Sequence, residues 1–240
     1  STPFSISDAD FLFELGVVAF KVGSTDTNNV PYLEYIAKKH IPIILSTGMS
    51  TLEEVREAVS AIRNAGNNQL IVLHCTTSYP TLLEAANLRA IVTMRNALGA
   101  PTGYSDHTLG METAVVAVAL GAIILEKHFT LDRALPGPDH KASLEPEELR
   151  RYVSLVRTIS TALGSGEKAP NAAEVEIAKV ARKSLVASRF IPAHTTLIAS
   201  DIVFKRPGTG IPPKYFNKIV GKKLVENVEE DELFSWDMLI

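Results

Sequence analysis

Along the first two-thirds of the chain, apolar residues gather into short, nearly continuous runs. These are 19–22 (Ala-Phe-Lys-Val), 41–45 (Ile-Pro-Ile-Ile-Leu), 70–73 (Leu-Ile-Val-Leu) and 122–125 (Ala-Ile-Ile-Leu). Such runs suit strands buried on both faces of a parallel sheet. Between them apolar positions recur with helical spacing. The clearest such segment starts at Ser50 or Thr51 as N-cap, carries Glu53 and Glu54 in its first turn, and buries Val55, Ala58, Val59 and Ile62. Asn-Ala-Gly-Asn at 64–67 closes it with a C-cap signal. Further helices are expected over 29–39, 87–98, 111–120 and 145–163. This alternation predicts an α/β fold, either a barrel or an open doubly wound sheet.

The residues that follow each strand separate the two. Polar segments stand at 1–4, 23–26, 46–49, 75–79, 105–108 and 128–130. Chemistry at every strand end, rather than at one switch point, favours a (β/α)8 TIM-type barrel whose mouth is the active site. These are six strand ends, the first almost without its strand. A closed barrel takes eight, so roughly two units are expected to be missing from the front. After Leu163 the pattern changes. The partial barrel is expected over 1–163, a Gly- and Pro-marked linker over 164–179, and a compact module with little helix over 180–240. The module's β-type runs are 184–187, 202–205 and 224–225, punctuated by Pro192, Pro207, Pro212 and Pro213.

Composition narrows the partners. A hydrophobic fraction of 46% and a charged fraction of 21% are those of a soluble globular protein. A net charge of −3 supplies no basic field for nucleic acid or an anionic membrane, so an anionic ligand must be held by local groups. The single Cys75 excludes an intrachain disulfide and fits a cytoplasmic location. No apolar run approaches the roughly 18 residues of a membrane span.

His107 and His128 lie 21 residues apart, one βα unit, at the ends of consecutive strands. Neighbouring strands are about 4.8 Å apart, so the two imidazoles can converge. Two imidazoles with water and substrate oxygens suit Mn²⁺, Fe²⁺, Co²⁺ or Zn²⁺; the alternative is a pair of hydrogen-bonded rim histidines. Lys21, Ser24, Ser46 and Ser105 share the same relation to their strands, and together form a phosphate cradle or, singly, serve as turn and helix caps. Lys21 or Lys127 would alternatively suit a Schiff base in an apolar pocket. Pro-Gly-Pro-Asp-His at 136–140 is a rigid loop that offers Asp139 to a substrate, or a plain turn. Arg206, in Lys-Arg-Pro-Gly-Thr-Gly at 205–210, is placed to clamp a polar ligand or simply to be solvated. His40, His74 and His194 read as structural or surface residues.

These segments, with Phe-Lys-Val-Gly-Ser at 20–24, Ile-Leu-Ser-Thr-Gly-Met at 44–49, Leu-His-Cys-Thr at 73–76, Gly-Tyr-Ser-Asp-His-Thr at 103–108 and Leu-Glu-Lys-His-Phe-Thr-Leu-Asp at 125–132, resemble the sialic acid synthase family. The stretch at 205–210 resembles that family's C-terminal antifreeze-like (SAF) module. The resemblance implies a C–C bond-forming transferase that condenses phosphoenolpyruvate with N-acetylmannosamine or a related N-acyl amino sugar. It implies His107 and His128 as metal ligands, with Mn²⁺ expected first and Mg²⁺ or Co²⁺ as alternatives. Thr2, Lys21, Ser24, Ser46 and Ser105 would hold phosphoenolpyruvate, and Asp26, Thr77, Tyr79 and Asp139 would line the acceptor. Arg206 would reach the acceptor from the partner subunit of a domain-swapped homodimer. The C3 carbon of phosphoenolpyruvate would attack the sugar aldehyde, water would add at C2, and phosphate would leave. Many members carry Asn at the position of Thr77 and Glu at that of Asp26, and both departures bear on the acceptor. Sister enzymes making legionaminic or pseudaminic acid, or serving a spore-coat polysaccharide, share the pattern. A catalytically dead fragment that binds sugar or assembles through its SAF module is the reading from another class.

Overall fold

The computed structural model describes residues 1–240, which divide into two units, Ser1–Gly166 and Glu167–Ile240. The first unit alternates strands and helices. In order these are α1 (Ile6–Glu14), β1 (Phe20–Val22), α2 (Val30–Ala37), β2 (Ile43–Ser46), α3 (Leu52–Asn64), β3 (Leu70–Cys75), α4 (Ala90–Leu98), β4 (Thr102–Asp106), α5 (Glu112–Ala119), β5 (Leu125–Lys127) and α6 (Pro146–Leu163). The five strands are parallel and stand in the sheet in chain order, β1-β2-β3-β4-β5. A doubly wound sheet reverses its strand order at a switch point; this one never reverses. Right-handed crossovers that always step the same way put every helix on one face of the sheet, as in a barrel wall.

That face carries the core. Phe20, Val22, Ile43, Leu45, Leu70 and Val72 alternate along β1 to β3 and pack against Leu33, Ile36, Val55, Val59 and Ile62 of α2 and α3. Complete burial of each large side chain here contributes about 1.5–3 kcal/mol. Helix α3 starts as its sequence predicts. Thr51 Oγ1 accepts from the Glu54 N–H at 3.3 Å, and Glu54 Oε2 accepts from the Thr51 N–H at 2.6 Å. Gly66, with φ of 93°, turns the chain out of the helix.

Three elements differ from expectation. Helix α1 has no counterpart in the apolar pattern, because Ile6, Phe11, Phe13 and Leu15 are exposed and only Ala9 is buried. Strand β4 (Thr-Gly-Tyr-Ser-Asp) is too polar to show as an apolar run, and only its end was legible. Strand β5 is assigned at Leu125–Lys127 rather than 122–125, although Ile123 N–H already donates to Thr102 O and Ile124 O accepts from Tyr104 N–H. At the other edge, Ser1 O accepts from Lys21 N–H at 2.8 Å and the Ser1 amine donates to Ala19 O, so Ser1 pairs with β1 like a strand residue.

In the second unit, helix α7 (Ala172–Ala181) occupies much of the segment 164–179 expected as linker. Asn171 and Glu174 close a capping box at its start, and Lys179 O accepts from Gly208 N–H at 2.7 Å, which ties α7 to the module that follows. Antiparallel β6 (Ser184–Ala187) and β7 (Ile202–Lys205) fall where the sequence placed them. Around them Leu185, Ile191, Leu197, Ile219, Val228 and Phe234 form a separate core. No helix in the chain is long and apolar enough to cross a membrane.

Candidate active site at the carboxyl ends of the strands

Side chains alternate across a strand, and paired residues in register share a face. Ser46 pairs with Leu73, Cys75 with Ser105, and Ser105 with Glu126. Counting by twos from these pairs sets Lys21, Ser46, Cys75, Ser105, His107, Glu126 and His128 on the face opposite the helices. The chemistry thus segregates to one side of the sheet and the core to the other.

The densest part lies over β3, β4 and β5. The rings of His107 and His128 are 5.1 Å apart and nearly perpendicular. The Tyr79 ring lies tilted beside both, with its centroid 4.3 Å from that of His107 and 5.4 Å from that of His128. His107 is buried, and its Nδ1 lies 2.8 Å from the Thr76 carbonyl. That contact requires a proton on Nδ1, which leaves Nε2 with its lone pair free and Ser105 Oγ at 3.4 Å. A histidine held through one nitrogen by a backbone carbonyl is oriented as metal-binding histidines are. His128 Nδ1 lies 3.8 Å from Asp139 Oδ2. No third His, Cys, Asp or Glu joins the pair in a metal-holding cluster. The protein therefore offers two imidazole donors, and an ion there would keep its other positions for water or substrate. Such a donor set fits an open site for an ion of borderline hardness.

Electrostatics differ between the two rings. Burial, the largest single influence, lowers the His107 pKa, but hydrogen bonds to Cys75 and the Thr76 carbonyl, with the charges of Cys75 and Glu126, together raise it. Burial lowers the His128 pKa, and the neighbouring His107 lowers it further. For Cys75, burial pushes the thiol up; the contacts to His107, Ser24 and Ser105 more than reverse this. Burial also raises the Tyr79 hydroxyl.

Over β1 and β2 the site is built of hydroxyls. Ser24 Oγ accepts from Gly48 N–H at 2.9 Å and donates toward Cys75 Sγ at 3.7 Å. Gly48 permits this packing: a Cβ there would fall 2.0 Å from Thr77 Oγ1 and 2.9 Å from Ser24 Oγ. Thr27 Oγ1 and Thr47 Oγ1 donate to the carbonyls of Ser46 and Leu73 and fix the strand ends. Ser46 Oγ is buried with no hydrogen-bond partner. Lys21 Nζ donates to Val22 O at 3.1 Å and stands 3.5 Å from Glu126 Oε2. Ser105 Oγ in turn donates to Glu126 Oε1 at 2.7 Å.

The structure thus gathers Ser24, Ser105, His107, His128, Tyr79, Thr77 and Asp139 into one cluster and joins Lys21 to it through Glu126. Ser46 shares their face. Asp26 is engaged within its own turn by Thr25 and Asn29, and Thr2 is half-buried beside the β1 edge. Arg206 belongs to the second unit; Lys205 takes Asp231 there and Arg189 takes Asp201, so Arg206 is left exposed without a carboxylate. The sequence reading omitted Cys75 and Glu126. Alternation would have found both, since each lies two residues from a named site residue. Neither lysine meets the needs of a Schiff base. Lys127 lies on the far face against Asp106, and Lys21 stands beside a carboxylate rather than in an apolar pocket.

Comparison with known proteins gives the family. Residues 1–168 match the NeuB family, and residues 182–240 match the SAF domain. The N,N'-diacetyllegionaminic acid synthase of Legionella pneumophila is 42% identical over 241 residues, covering 99% of this chain and 68% of its own. The N-acetylneuraminate-9-phosphate synthase of Mus musculus is 42% identical over 225 residues, covering 93% of this chain and 62% of its own. Among solved structures, the spore coat polysaccharide biosynthesis protein spsE of Bacillus subtilis aligns with a TM-score of 0.66 at 33% identity, over 100% of this chain and 72% of its own.

Proposed function

The chain belongs to the NeuB family and ends in a SAF domain, and from this premise we propose that it condenses phosphoenolpyruvate with an N-acyl amino sugar to give a nonulosonic acid and phosphate. The observation that carries the proposal is the single inward face on which Lys21, Ser46, Ser105, His107, Glu126 and His128 stand together. Lys21 and the hydroxyls of Ser24, Ser46, Ser105 and Thr2 hold the phosphate and carboxylate of phosphoenolpyruvate. A buried serine hydroxyl without a partner is the kind of group a bound anion satisfies. Tyr79, Thr77, Asp139 and Asp26 orient the acceptor. His107 and His128 would hold a divalent ion, Mn²⁺ first, and the chemistry it would supply there is Lewis acidity toward the acceptor's aldehyde oxygen. Glu126 holds Lys21 and Ser105 in place before substrate enters, and its carboxylate limits the positive charge of an empty cradle. Orientation of two reactants and compensation of their charge account for much of the rate in such a site.

A closed barrel takes eight strands. The proposal therefore places further parallel strands at the open edges of the five-stranded sheet, where Ser1 already pairs with β1. The acceptor stays at the level of its class. Relatives named for legionaminic acid and for N-acetylneuraminate 9-phosphate are equally identical to this chain, at 42%. The test is phosphate release from phosphoenolpyruvate with a panel of N-acyl hexosamines, phosphorylated and not. It is run on the 240-residue chain and on a version carrying two βα units ahead of Ser1. Release that depends on one acceptor is expected from the longer version. Silence from both, with every acceptor, would leave a sugar-binding or assembly module instead.

The SAF domain extends the proposal to a twofold dimer in which each module serves the partner's site, with Arg206 reaching the acceptor. The exposed guanidinium of Arg206, free of any carboxylate, supports this. Mixing a His107→Ala protein with an Arg206→Ala protein is expected to restore part of the activity that each lacks. No recovery on mixing would place each module over its own barrel.

A further inference from the structure

Behind the two histidines, on the helix-facing side of the sheet, lies a buried ionic network that the proposed chemistry does not use. Asp106 and Lys127 are the last register pair of β4 and β5, and each immediately precedes one of the histidines. Lys127 Nζ stands 3.1 Å from Asp106 Oδ2, with side-chain exposures of 3% and 0%. Both carboxylate oxygens have hydrogen-bonding neighbours besides the lysine. Thr108 donates to Oδ1 from its N–H at 2.9 Å and its hydroxyl at 2.8 Å, and Thr113 Oγ1 donates to Oδ2 at 3.2 Å. The hydroxyls of Thr108 and Thr113 meet at 2.8 Å, and Lys127 Nζ also donates to the Thr108 carbonyl.

The backbone ladder between β4 and β5 stops at this pair. Beyond it, the His107 carbonyl accepts from Thr81 N–H and the His128 carbonyl from Leu144 N–H, so each histidine's backbone is tied to a different loop and not to the other histidine. The closed circuit of Asp106, Thr108 and Lys127 is thus the last direct tie between the two strands before the imidazoles. Such a pair has no clear stabilising role. Replacing a buried ion pair by apolar residues of similar volume is often neutral for stability, whereas removing one partner alone is costly.

We infer that Asp106 and Lys127 are positioning residues that set the spacing of His107 and His128, and with it the affinity of the metal site. This rests on the proposed reading of the histidines as metal ligands. The test is the Asp106→Leu/Lys127→Met double variant of the 240-residue chain, followed by thermal melting and by Mn²⁺ titration calorimetry without substrates. The expected result is a melting temperature close to the parent's together with Mn²⁺ affinity lower by about 10- to 100-fold, the usual effect of losing groups that orient metal ligands. A folded double variant that binds Mn²⁺ like the parent overturns the inference. Should the double variant not fold, Thr113→Val takes its place. It removes one hydrogen bond from Asp106 without touching either charge, and parent-like Mn²⁺ affinity in it likewise overturns the inference. A parent chain that takes no Mn²⁺ at all removes the metal reading itself, and this inference with it.

Discussion

The two sides of the strand mouth are built on opposite principles. Over β1 and β2 the inward groups are loosely committed: Ser46 Oγ has no partner, and Lys21 Nζ has a neighbouring carbonyl and a carboxylate at 3.5 Å. Over β4 and β5 more of the groups are tied to other parts of the protein. His107 is held by Thr76, Ser105 by Glu126, and the strand ends by the Asp106–Lys127 network. Unmet hydrogen-bonding capacity in a buried place costs free energy unless a ligand supplies the partner. This difference fits the proposed reading, with an anion received on the β1–β2 side and His107 held in place on the β4–β5 side.

The largest effect that would break this contrast comes from the histidines. Replacing His107 or His128 by Ala is expected to abolish Mn²⁺ binding and turnover, because no group of three His, Cys, Asp or Glu side chains is placed to hold an ion without them. Calorimetry on either variant gives the answer, and unchanged Mn²⁺ affinity would count decisively against a metal site here. Next in size is Lys21→Met. A hydrogen bond to a charged group contributes about 1.5–3 kcal/mol, so the KM for phosphoenolpyruvate should rise about 10- to 100-fold while that for the sugar moves far less. A covalent adduct on Lys21 trapped by borohydride would replace the cradle with aldolase-type chemistry.

How much of this was legible beforehand follows from the same division. The apolar runs located β1, β2 and β3 because those strands bury aliphatic side chains against helices. Strand β4 escaped notice because Thr102, Ser105 and Asp106 are buried through hydrogen bonds and charge pairing, which no hydropathy pattern records. The histidine pair was readable from its spacing of one βα unit. Glu126 and Cys75 were not singled out as site residues, although alternation from His128 and Thr77 reaches them; their pairing with Ser105 comes from cross-strand register. Helix α7 was hidden by the Gly- and Pro-containing stretch ahead of it, although its own sequence, Ala-Ala-Glu-Val-Glu-Ile-Ala-Lys-Val-Ala, is rich in helix formers.

A smaller effect sharpens the account of the anion side. Ser46→Ala deletes a hydroxyl that has no partner in the ligand-free fold. Removing an unsatisfied buried group should leave the melting temperature unchanged or slightly raised. The KM for phosphoenolpyruvate should nevertheless rise by about 2- to 10-fold, the worth of one hydrogen bond of about 0.5–1.5 kcal/mol. A clear loss of stability without any change in that KM would mean that Ser46 serves the fold rather than the ligand.

The smallest effect contrasts the two faces of β3 through His74, which points away from the site next to inward-facing Cys75. His74 is buried, its Nε2 lies 2.8 Å from the Ala86 carbonyl, and its ring stacks on Tyr104 at 5.9 Å. Burial lowers its pKa, with the Ala86 hydrogen bond opposing only in part. Between that lowered value and the ordinary histidine value of about 6.5, the unfolded chain binds a proton that the folded chain does not. Stability from this group is therefore complete above about pH 6.5 and is lost progressively as pH falls toward the folded value. Gln at this position keeps a side-chain N–H for the Ala86 carbonyl but does not titrate. The melting temperature of His74→Gln should thus fall less steeply between about pH 7 and 5 than that of the parent, by an amount that grows toward the acid end. Parallel melting curves for parent and variant across that range would show that His74 does not resist protonation. Its burial behind β3 would then be as permissive as that of the anion side, and the contrast between the committed and the open parts of the sheet would lose its outer-face support.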